Sequence, residues 1–449
     1  MSFPFEIFKA YDIRGKVKSE LNADTAYKIG RATAQWLPSK GIVAVGRDMR
    51  PDSEQLASEV ISGLRAEGRN VWDIGKVTSD MIYFAVGKYN LAGGLVITAS
   101  HNGNDYNGIK IYRDKVTPVG LDSGLAEIRD IAASIDDEKP ELSGSYEQKN
   151  INEAWIDHCI SMIDASKWPE YRVAIDAGNG MAGAILPYIL PKLPLQSENM
   201  YFDLDGTFPN HEANPQKEEN LQDLIATVKS HSYDFGIAFD GDGDRAGFVD
   251  DKGRPVLGTD LISIVSKYIL SSDEGSKIVH DVRTSRATRE LIKEWGGEPV
   301  RTKAGRVYIG ALVRELGASF GGETTGHLFF KKNYDADSGL IAALMVIQAL
   351  SESNRKLSEL VDEYRRYVMP IEKNYKVANK KLVFDTLKEK FSEYQQDELD
   401  GLTVELKDAW FNLRASNTEP VMRLNIEAAS QAQLESLLLD VESAIEAQG

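Results

Sequence analysis

Gly94-Leu95-Val96-Ile97-Thr98-Ala99-Ser100-His101-Asn102 runs straight from an apolar stretch into a polar loop. A short apolar run bounded in this way reads as a strand inside a sheet. The same pattern recurs at 42–45, 94–98, 173–176, 236–239 and 278–282, and several of these runs end in loops dense in Gly, Asp, Asn or Ser. Between them, stretches such as 53–67 and 259–270 carry apolar residues at helical spacing. Strands alternating with helices predict α/β units, in which ligands bind where the strands end. The pattern restarts near Tyr171 and near Gly258, giving three such units without a fixed-period repeat. The last part differs: 402–406 and 422–426 read as strands around a polar turn, and 431–447 as a helix. That predicts a smaller α+β domain, joined through the charged run at 362–366. The expected domains are 1–150, 151–253, 254–367 and 368–449.

Composition limits the classes of function. At 449 residues the chain is too long for one ordinary core. Its 42% hydrophobic and 27% charged residues are those of a soluble protein. The apolar run at 340–347 stops at Gln348, short of the ~20 residues that cross a bilayer. Glu6 and Lys9 interrupt the N-terminus, which has no apolar core like a secretion signal. Cys159 stands alone, excluding an internal disulfide and a cysteine-built metal site, so a cytoplasmic location is expected. A net charge of −17 argues against a nucleic-acid partner but leaves room for small phosphorylated ligands beside local Lys and Arg. Monomer and dimer both remain open.

Four loops carry chemistry. Ser100 lies at a strand end, exposed to a cleft as a phosphoryl acceptor, and Lys110 comes ten residues later, in position to neutralise phosphate or move a proton. The bland alternative is a polar turn in which Ser100 and His101 satisfy backbone groups. Asp240-Gly241-Asp242-Gly243-Asp244-Arg245 sets carboxylates at alternate positions with glycines between them, a pattern that turns inward on a hard cation. It fails as a calcium EF-hand, with Arg245 where glycine is needed, Asp251 where glutamate is usual, and strands in place of helices. Arg414-Ala415-Ser416-Asn417-Thr418-Glu419-Pro420, with Arg423 beyond, offers hydroxyls, an amide and guanidinium groups to a phosphate. In Gly321-Gly322-Glu323-Thr324-Thr325-Gly326-His327, a carboxylate and a hydroxyl two residues apart suit adjacent sugar hydroxyls. A competing reading comes from Gly178-Asn179-Gly180-Met181-Ala182-Gly183, which fits a dinucleotide-binding G-x-G-x-x-G with Asp203 downstream. The segment 103–108 is only P-loop-like, because it lacks the Gly-Lys-Ser/Thr ending.

Together the loops resemble those of the α-D-phosphohexomutase family, in its phosphomannomutase/phosphoglucomutase branch. Tyr11-Asp12-Ile13-Arg14-Gly15, TASHN with Lys110, the three-aspartate loop, Asp281-Val282-Arg283, GGETTGH and RASNTEP stand in the family's order over essentially the whole chain. The segments 176–183 and 205–211 match as structural signatures of the second domain. The resemblance implies three consecutive α/β domains with mixed sheets plus a smaller C-terminal α+β domain around a central cleft. In chain order these domains bring the phosphoserine, metal, sugar and phosphate loops.

The resemblance also assigns roles. Ser100 would carry the transferable phosphate, with Mg²⁺ between it and Asp240, Asp242 and Asp244. Glu323 and Thr325 would hold sugar hydroxyls, and Arg414, Ser416, Asn417, Thr418 and Arg423 the distal phosphate. Tyr11, Arg14, Lys110, Arg245 and His327 would line the reacting end, with Lys110 or His327 handling the proton, and Arg283 and Arg306 would contact substrate. The implied activity is an isomerase that interconverts mannose 6-phosphate and mannose 1-phosphate through phosphoserine and a hexose 1,6-bisphosphate. Glucose phosphates are an added or main substrate, and glucosamine phosphates are disfavoured by Asn417. Three positions depart from the pattern: Gly103 where proline is frequent, Thr325 for the commoner serine, and Arg306 where many phosphomannomutases carry histidine. Arg306 lies on a loop linked to substrate choice, so mannose and glucose both stay open.

Overall fold

The apolar run before Ser100 forms strand Gly93–Ile97, buried at every position. Parallel Ile42–Arg47 lies on one side of it and antiparallel Tyr106–Arg113 on the other. A strand flanked on both sides and covered on both faces has no polar face, which explains the lack of alternation in its sequence. Asn70–Lys76 and Tyr146–Gln148 extend the sheet in parallel, and Ile13–Lys16 closes the opposite edge antiparallel to Tyr106–Arg113.

The computed structural model describes residues 3–136, 138–369, 372–415 and 421–446. They fall into two compact units, 1–257 with 325–358, and 258–324 with 359–449. In the first unit a second mixed sheet runs Pro255–Val256, Ala246–Asp250, Phe235–Phe239, Tyr171–Asp176, Leu195–Met200. Phe235–Phe239 is parallel to Tyr171–Asp176 and antiparallel to Ala246–Asp250, so the acidic loop is the connection of a hairpin. This unit also holds the hairpin Leu328–Phe330/Ala336–Asp337 and helix Gly339–Ser353. Twelve consecutive residues of that helix, Gly339 to Leu350, are buried, so the long apolar run is core. No helix among the described residues is long and apolar enough to cross a membrane.

In the second unit Lys277–Asp281 lies between parallel strands Glu298–Thr302 and Phe320–Gly322. The C-terminal sheet is wholly antiparallel, ordered Lys373–Lys376, Val421–Ala428, Ala409–Ala415, Leu402–Glu405, Gln395–Asp397. Helices Lys380–Lys390 and Gln431–Glu446 share a core with it through Val383, Leu387, Leu434 and Val441.

Three local expectations change. The segment 402–426 is three strands rather than two, because Ala409–Ala415 is buried on both faces and so lacks the alternation that marks a strand. The charged run at 362–366 begins inside helix Leu357–Tyr364 rather than forming a link. The loop read from Gly321 instead begins inside strand Phe320–Gly322, where glycines take up the pairing.

Candidate active site

Ser100 lies just past strand Gly93–Ile97 with φ of 51°, a left-handed conformation that costs a non-glycine residue about 1–3 kcal/mol. The loop is over-determined by side chains that hold its backbone. Arg50 donates to the carbonyls of Ser100 at 2.9 Å, Asn102 at 2.6 Å, Gly103 at 2.8 Å and Tyr106 at 3.0 Å. Asp48 anchors that guanidinium at 3.2 Å, and both residues are buried. Arg14 donates to the Ala99 carbonyl at 3.0 Å and also bonds the Asn102 side chain, while Asp12 accepts from its Nε at 3.0 Å. The turn therefore holds Ser100 Oγ at a fixed place, in a residue that is buried rather than exposed.

That oxygen donates to Asp240 Oδ2 at 3.0 Å. Asp240, Asp242 and Asp244 are fully buried, and their ligand oxygens lie within 4.8 Å of one another. Lys110 Nζ reaches Asp242 at 2.5 Å and Asp244 at 2.7 Å, and Arg245 Nε reaches Asp240 at 2.9 Å. Two cations against three carboxylates leave buried negative charge, and a phosphate on Ser100 would add about two more. Burial, opposed by Arg245 and reinforced by Asp244 and Asp242, pushes the Asp240 carboxyl up to about 7. Burial and Asp244 act the same way on Asp242, yet Lys110 and Ser79 hold it below the ordinary carboxylate range. Asp242 Oδ1 is buried with no hydrogen-bond partner among the described residues. An unpaired carboxylate oxygen in an all-oxygen cluster fits a hard divalent cation such as Mg²⁺.

Neighbouring histidines divide by role. His101 Nδ1 lies 2.6 Å from the Arg245 guanidinium and 3.2 Å from Ser100 Oγ. Burial, with Arg245 and Arg14, drives its pKa down to about 2, so the ring is a neutral acceptor. His327 Nδ1 is 2.7 Å from Asp337 and 3.8 Å from Asp244. Donation from Nδ1–H to Asp337 leaves Nε2 as the basic nitrogen. Thr325, also in this unit, has a buried hydroxyl with no partner among the described residues. Tyr11 is half-buried just before strand Ile13–Lys16.

In the second unit Asp281 ends its strand and organises the adjoining loops. Its Oδ1 accepts from the Arg283 backbone at 2.7 Å and from Arg283 Nε at 3.1 Å, and its Oδ2 from Thr324 N at 2.8 Å. Arg283 then bonds Glu323 at 2.9 Å, and despite burial these two carboxylates raise its pKa above the ordinary value. Arg414 and Arg423 both approach Glu372 at 3.5 Å. Arg414 is buried, and its Nε has no partner among the described residues. Arg306 is half-buried as the first residue of helix Arg306–Leu316. Ser416, Asn417 and Thr418 lie outside the described residues.

The first unit thus joins Arg14, Ser100, Lys110, the three aspartates, Arg245 and His327 in one contact network, and the second joins Arg283 with Glu323 and Arg414 with Arg423. Sequence reasoning passed over Arg50, Asp337 and Glu372. Asp48 and Arg50 had one available signal, as charged residues just past strand Ile42–Arg47; Glu372 had none. The glycine-rich loop 178–183 proves structural. A Cβ on Gly180 would sit 2.8 Å from the Gly241 carbonyl, and one on Gly183 would sit 2.2 Å from the Phe202 carbonyl. Met181 N donates to Gly241 O at 2.9 Å, so this loop buttresses the acidic loop.

The chain matches the phosphoglucomutase/phosphomannomutase alpha/beta/alpha domains I, II and III at 6–139, 153–253 and 258–367, and the C-terminal domain at 372–444. It is 38% identical over 430 residues to phosphohexose mutases of Xanthomonas campestris pv. campestris, covering 95% of this chain and 96% of that one. A phosphomannomutase of Vibrio cholerae is 36% identical over 444 residues, with 95% of each chain covered. A phosphoglucomutase/phosphomannomutase family protein from Burkholderia thailandensis superposes with a TM-score of 0.90 at 33% identity, covering 99% of this chain and 98% of that one. With every domain matched in order and relatives alike over nearly their full length, the chain belongs to the phosphoglucomutase/phosphomannomutase family of phosphohexose mutases.

Proposed function

We propose that the chain interconverts mannose 6-phosphate and mannose 1-phosphate through a phosphorylated Ser100, with glucose phosphates as a second substrate pair. The carrying observation is Ser100 Oγ on a left-handed turn, 3.0 Å from a buried three-aspartate cluster. The family is Mg²⁺-dependent and passes through a bisphosphorylated sugar, and Asp240, Asp242, Asp244 and Ser100 are the residues that would hold the ion here. Bound there, Mg²⁺ supplies positive charge to the phosphoryl oxygens.

The rest falls to side chains. Arg50 and Arg14 hold Ser100 in place for in-line transfer. The bond from phosphorus to Ser100 Oγ breaks as a bond forms to the sugar hydroxyl oxygen, and that hydroxyl's proton passes to His327 Nε2. Lys110 and Arg245 offset charge on the moving group. Transfer of the other phosphate back to Ser100 Oγ completes the isomerisation, and His327 Nε2 returns its proton to the sugar oxygen that this second transfer frees. Glu323 and Thr325 hold sugar hydroxyls, and Tyr11 and Arg306 contact the sugar phosphate. The second phosphate rests on Arg283, Arg414 and Arg423, with Ser416, Asn417 and Thr418 completing its cradle. By function the domains are 1–150 for phosphoserine, 151–253 for metal, 254–367 for sugar and 368–449 for phosphate. Cys159, buried as a free thiol, suits a cytoplasmic location, and the net charge of −17 disfavours nucleic acid.

The test compares kcat/KM for mannose, glucose and glucosamine phosphates, in the wild-type chain and in Ser100→Ala, with Mg²⁺ and a trace of hexose 1,6-bisphosphate. Mannose phosphates turning over fastest, and no turnover in a folded Ser100→Ala, are expected. Full activity in that variant overturns the phosphoserine role, and preference for glucose overturns the sugar.

A further inference from the structure

A cavity of about 570 Å³ in the second unit shares no residue with the groups assigned above. Arg286, Arg289 and Lys293 reach it from helix Arg286–Glu294, Arg301 from strand Glu298–Thr302, and Lys407 from the turn after Leu402–Glu405. Three carboxylates, Glu290, Asp397 and Glu405, line it as well. The acids are already engaged. Glu405 takes Arg286 and Arg289 at 2.6 Å each with Arg301 at 3.9 Å, Asp397 pairs with Arg301, and Glu290 accepts from the Tyr367 hydroxyl at 2.9 Å. Lys293 and Lys407 are exposed and have no carboxylate partner among the described residues. The wall thus carries two more positive than negative charges, in a chain of net charge −17.

Two buried polar atoms of residues that line this cavity have no partner among the described residues: Nε2 of His280 and Nε of Arg289. His280 is fully buried yet lines the cavity. Its Nδ1 is 3.0 Å from the Asp281 carbonyl, which can only accept, so Nδ1 carries the proton and Nε2 presents a lone pair. Burial, with Arg289 and Arg301 nearby, lowers its pKa to about 4 and keeps the ring neutral. Arg289 spends its NH1 on Glu405 and lies over the Trp410 ring at 5.4 Å, leaving Nε as an unused donor. Burying such groups unpaired is unfavourable, so a ligand that pairs them gains by doing so. A ligand that satisfies both must accept from Arg289 and donate an O–H to His280. A hydrogen-phosphate group does so with its own P–O–H, and a phosphate ester does so with a hydroxyl on its organic part.

We propose that this cavity binds the phosphate group of a small molecule, held by Arg289, Lys293 and Lys407, with an O–H of the ligand donated to His280 Nε2. The site is independent of turnover, so it is tested without a catalytic assay. The chain has six histidines, so ¹⁵N-histidine labelling gives a sparse spectrum in which Nε2 of His280 is read directly. Titration with inorganic phosphate is expected to move that resonance along a saturating curve, in the wild-type chain and equally in Arg414→Ala. In the double variant Lys293→Ala/Lys407→Ala, at two exposed positions, the midpoint is expected to rise about tenfold. An unmoved Nε2 resonance, a shift that does not saturate, or an unchanged midpoint in the lysine variant overturns the proposal. A parallel titration with glycerol phosphate separates the sources: a lower midpoint than for inorganic phosphate assigns the site to a hydroxyl-bearing ester, and a higher one to free phosphate.

Discussion

Arg414 and Arg423 face each other directly across the antiparallel strands Ala409–Ala415 and Val421–Ala428, and Glu372 is a carboxylate both approach, at 3.5 Å. Like charges in register repel. One carboxylate at that distance offsets only part of the repulsion, and burial with Arg283 nearby lowers the Arg414 pKa despite Glu372. A bound phosphate would remove the conflict, which favours the proposed cradle over a structural bridge. Arg414→Ala is expected to raise KM for hexose phosphates about 10- to 100-fold, the effect of losing one charge-assisted contact of roughly 1.5–3 kcal/mol. Arg414→Lys should recover only part, because an ammonium lacks the forked donors. Steady-state kinetics with KM unchanged in both variants would remove Arg414 from the phosphate site.

Arg50 is expected to act on the reaction through the Ser100 loop, whose carbonyls it holds. One guanidinium serves four loop carbonyls and the buried Asp48, so Arg50→Ala leaves a buried carboxylate uncompensated and should destabilise the fold by about 3–5 kcal/mol. Arg50→Lys keeps the charge beside Asp48 but cannot span the carbonyls. It is expected to fold and to lose kcat about 10- to 100-fold with little change in KM, since misplacing a reacting group by about 1 Å costs this much. A wild-type kcat in the lysine variant would show that the turn holds itself.

Magnesium binding should be coupled to a proton. With its carboxyl pushed up to about 7, Asp240 holds a proton below that pH, and the proton competes with the ion. Mg²⁺ affinity is expected to rise about tenfold per pH unit below 7 and to level off above it. Calorimetry in two buffers of different ionisation enthalpy should find about one proton released at pH 6 and little at pH 8. Chelation should abolish turnover. A pH-independent affinity would mean that Asp240 is already ionised in the metal-free chain.

Legibility in the sequence tracked the range of the interactions. The buried strand Gly93–Ile97 and the alternating aspartates at 240–244 announce themselves over a few residues, because a central strand and a cation cluster each impose a local pattern. Ala409–Ala415 did not, since burial on both faces erases alternation and the polar residues just after it drew the reading. Arg50 and Ser100 are paired across fifty positions, and His327 with Asp337 across a hairpin; only the folded chain places them together. The glycines at 178–183 made a decoy whose chemistry is instructive. Close approach to a pyrophosphate and close approach to the Gly241 carbonyl require the same missing Cβ.

Asp80 supplies a test of the buried network by pH. It is fully buried, accepts from Ser338 Oγ at 2.5 Å and from the Thr78 hydroxyl, and burial raises its carboxyl to about 8. In the unfolded chain the same group titrates near ~3.9. Between these values the folded chain holds a proton that the unfolded chain has released, so this group's contribution to stability falls as pH rises and stops changing above about 8. Asp80→Asn carries no titrating proton, and its amide oxygen still accepts a hydroxyl. The stability of the variant relative to wild type should therefore improve with pH, by on the order of 1 kcal/mol per unit between pH 6 and 8. Urea unfolding of both proteins at pH 6, 7 and 8 reads this difference directly, with other titrating groups cancelling between them. A constant difference across the three pH values would mean that Asp80 is charged in the native state, balanced by groups other than Ser338 and Thr78.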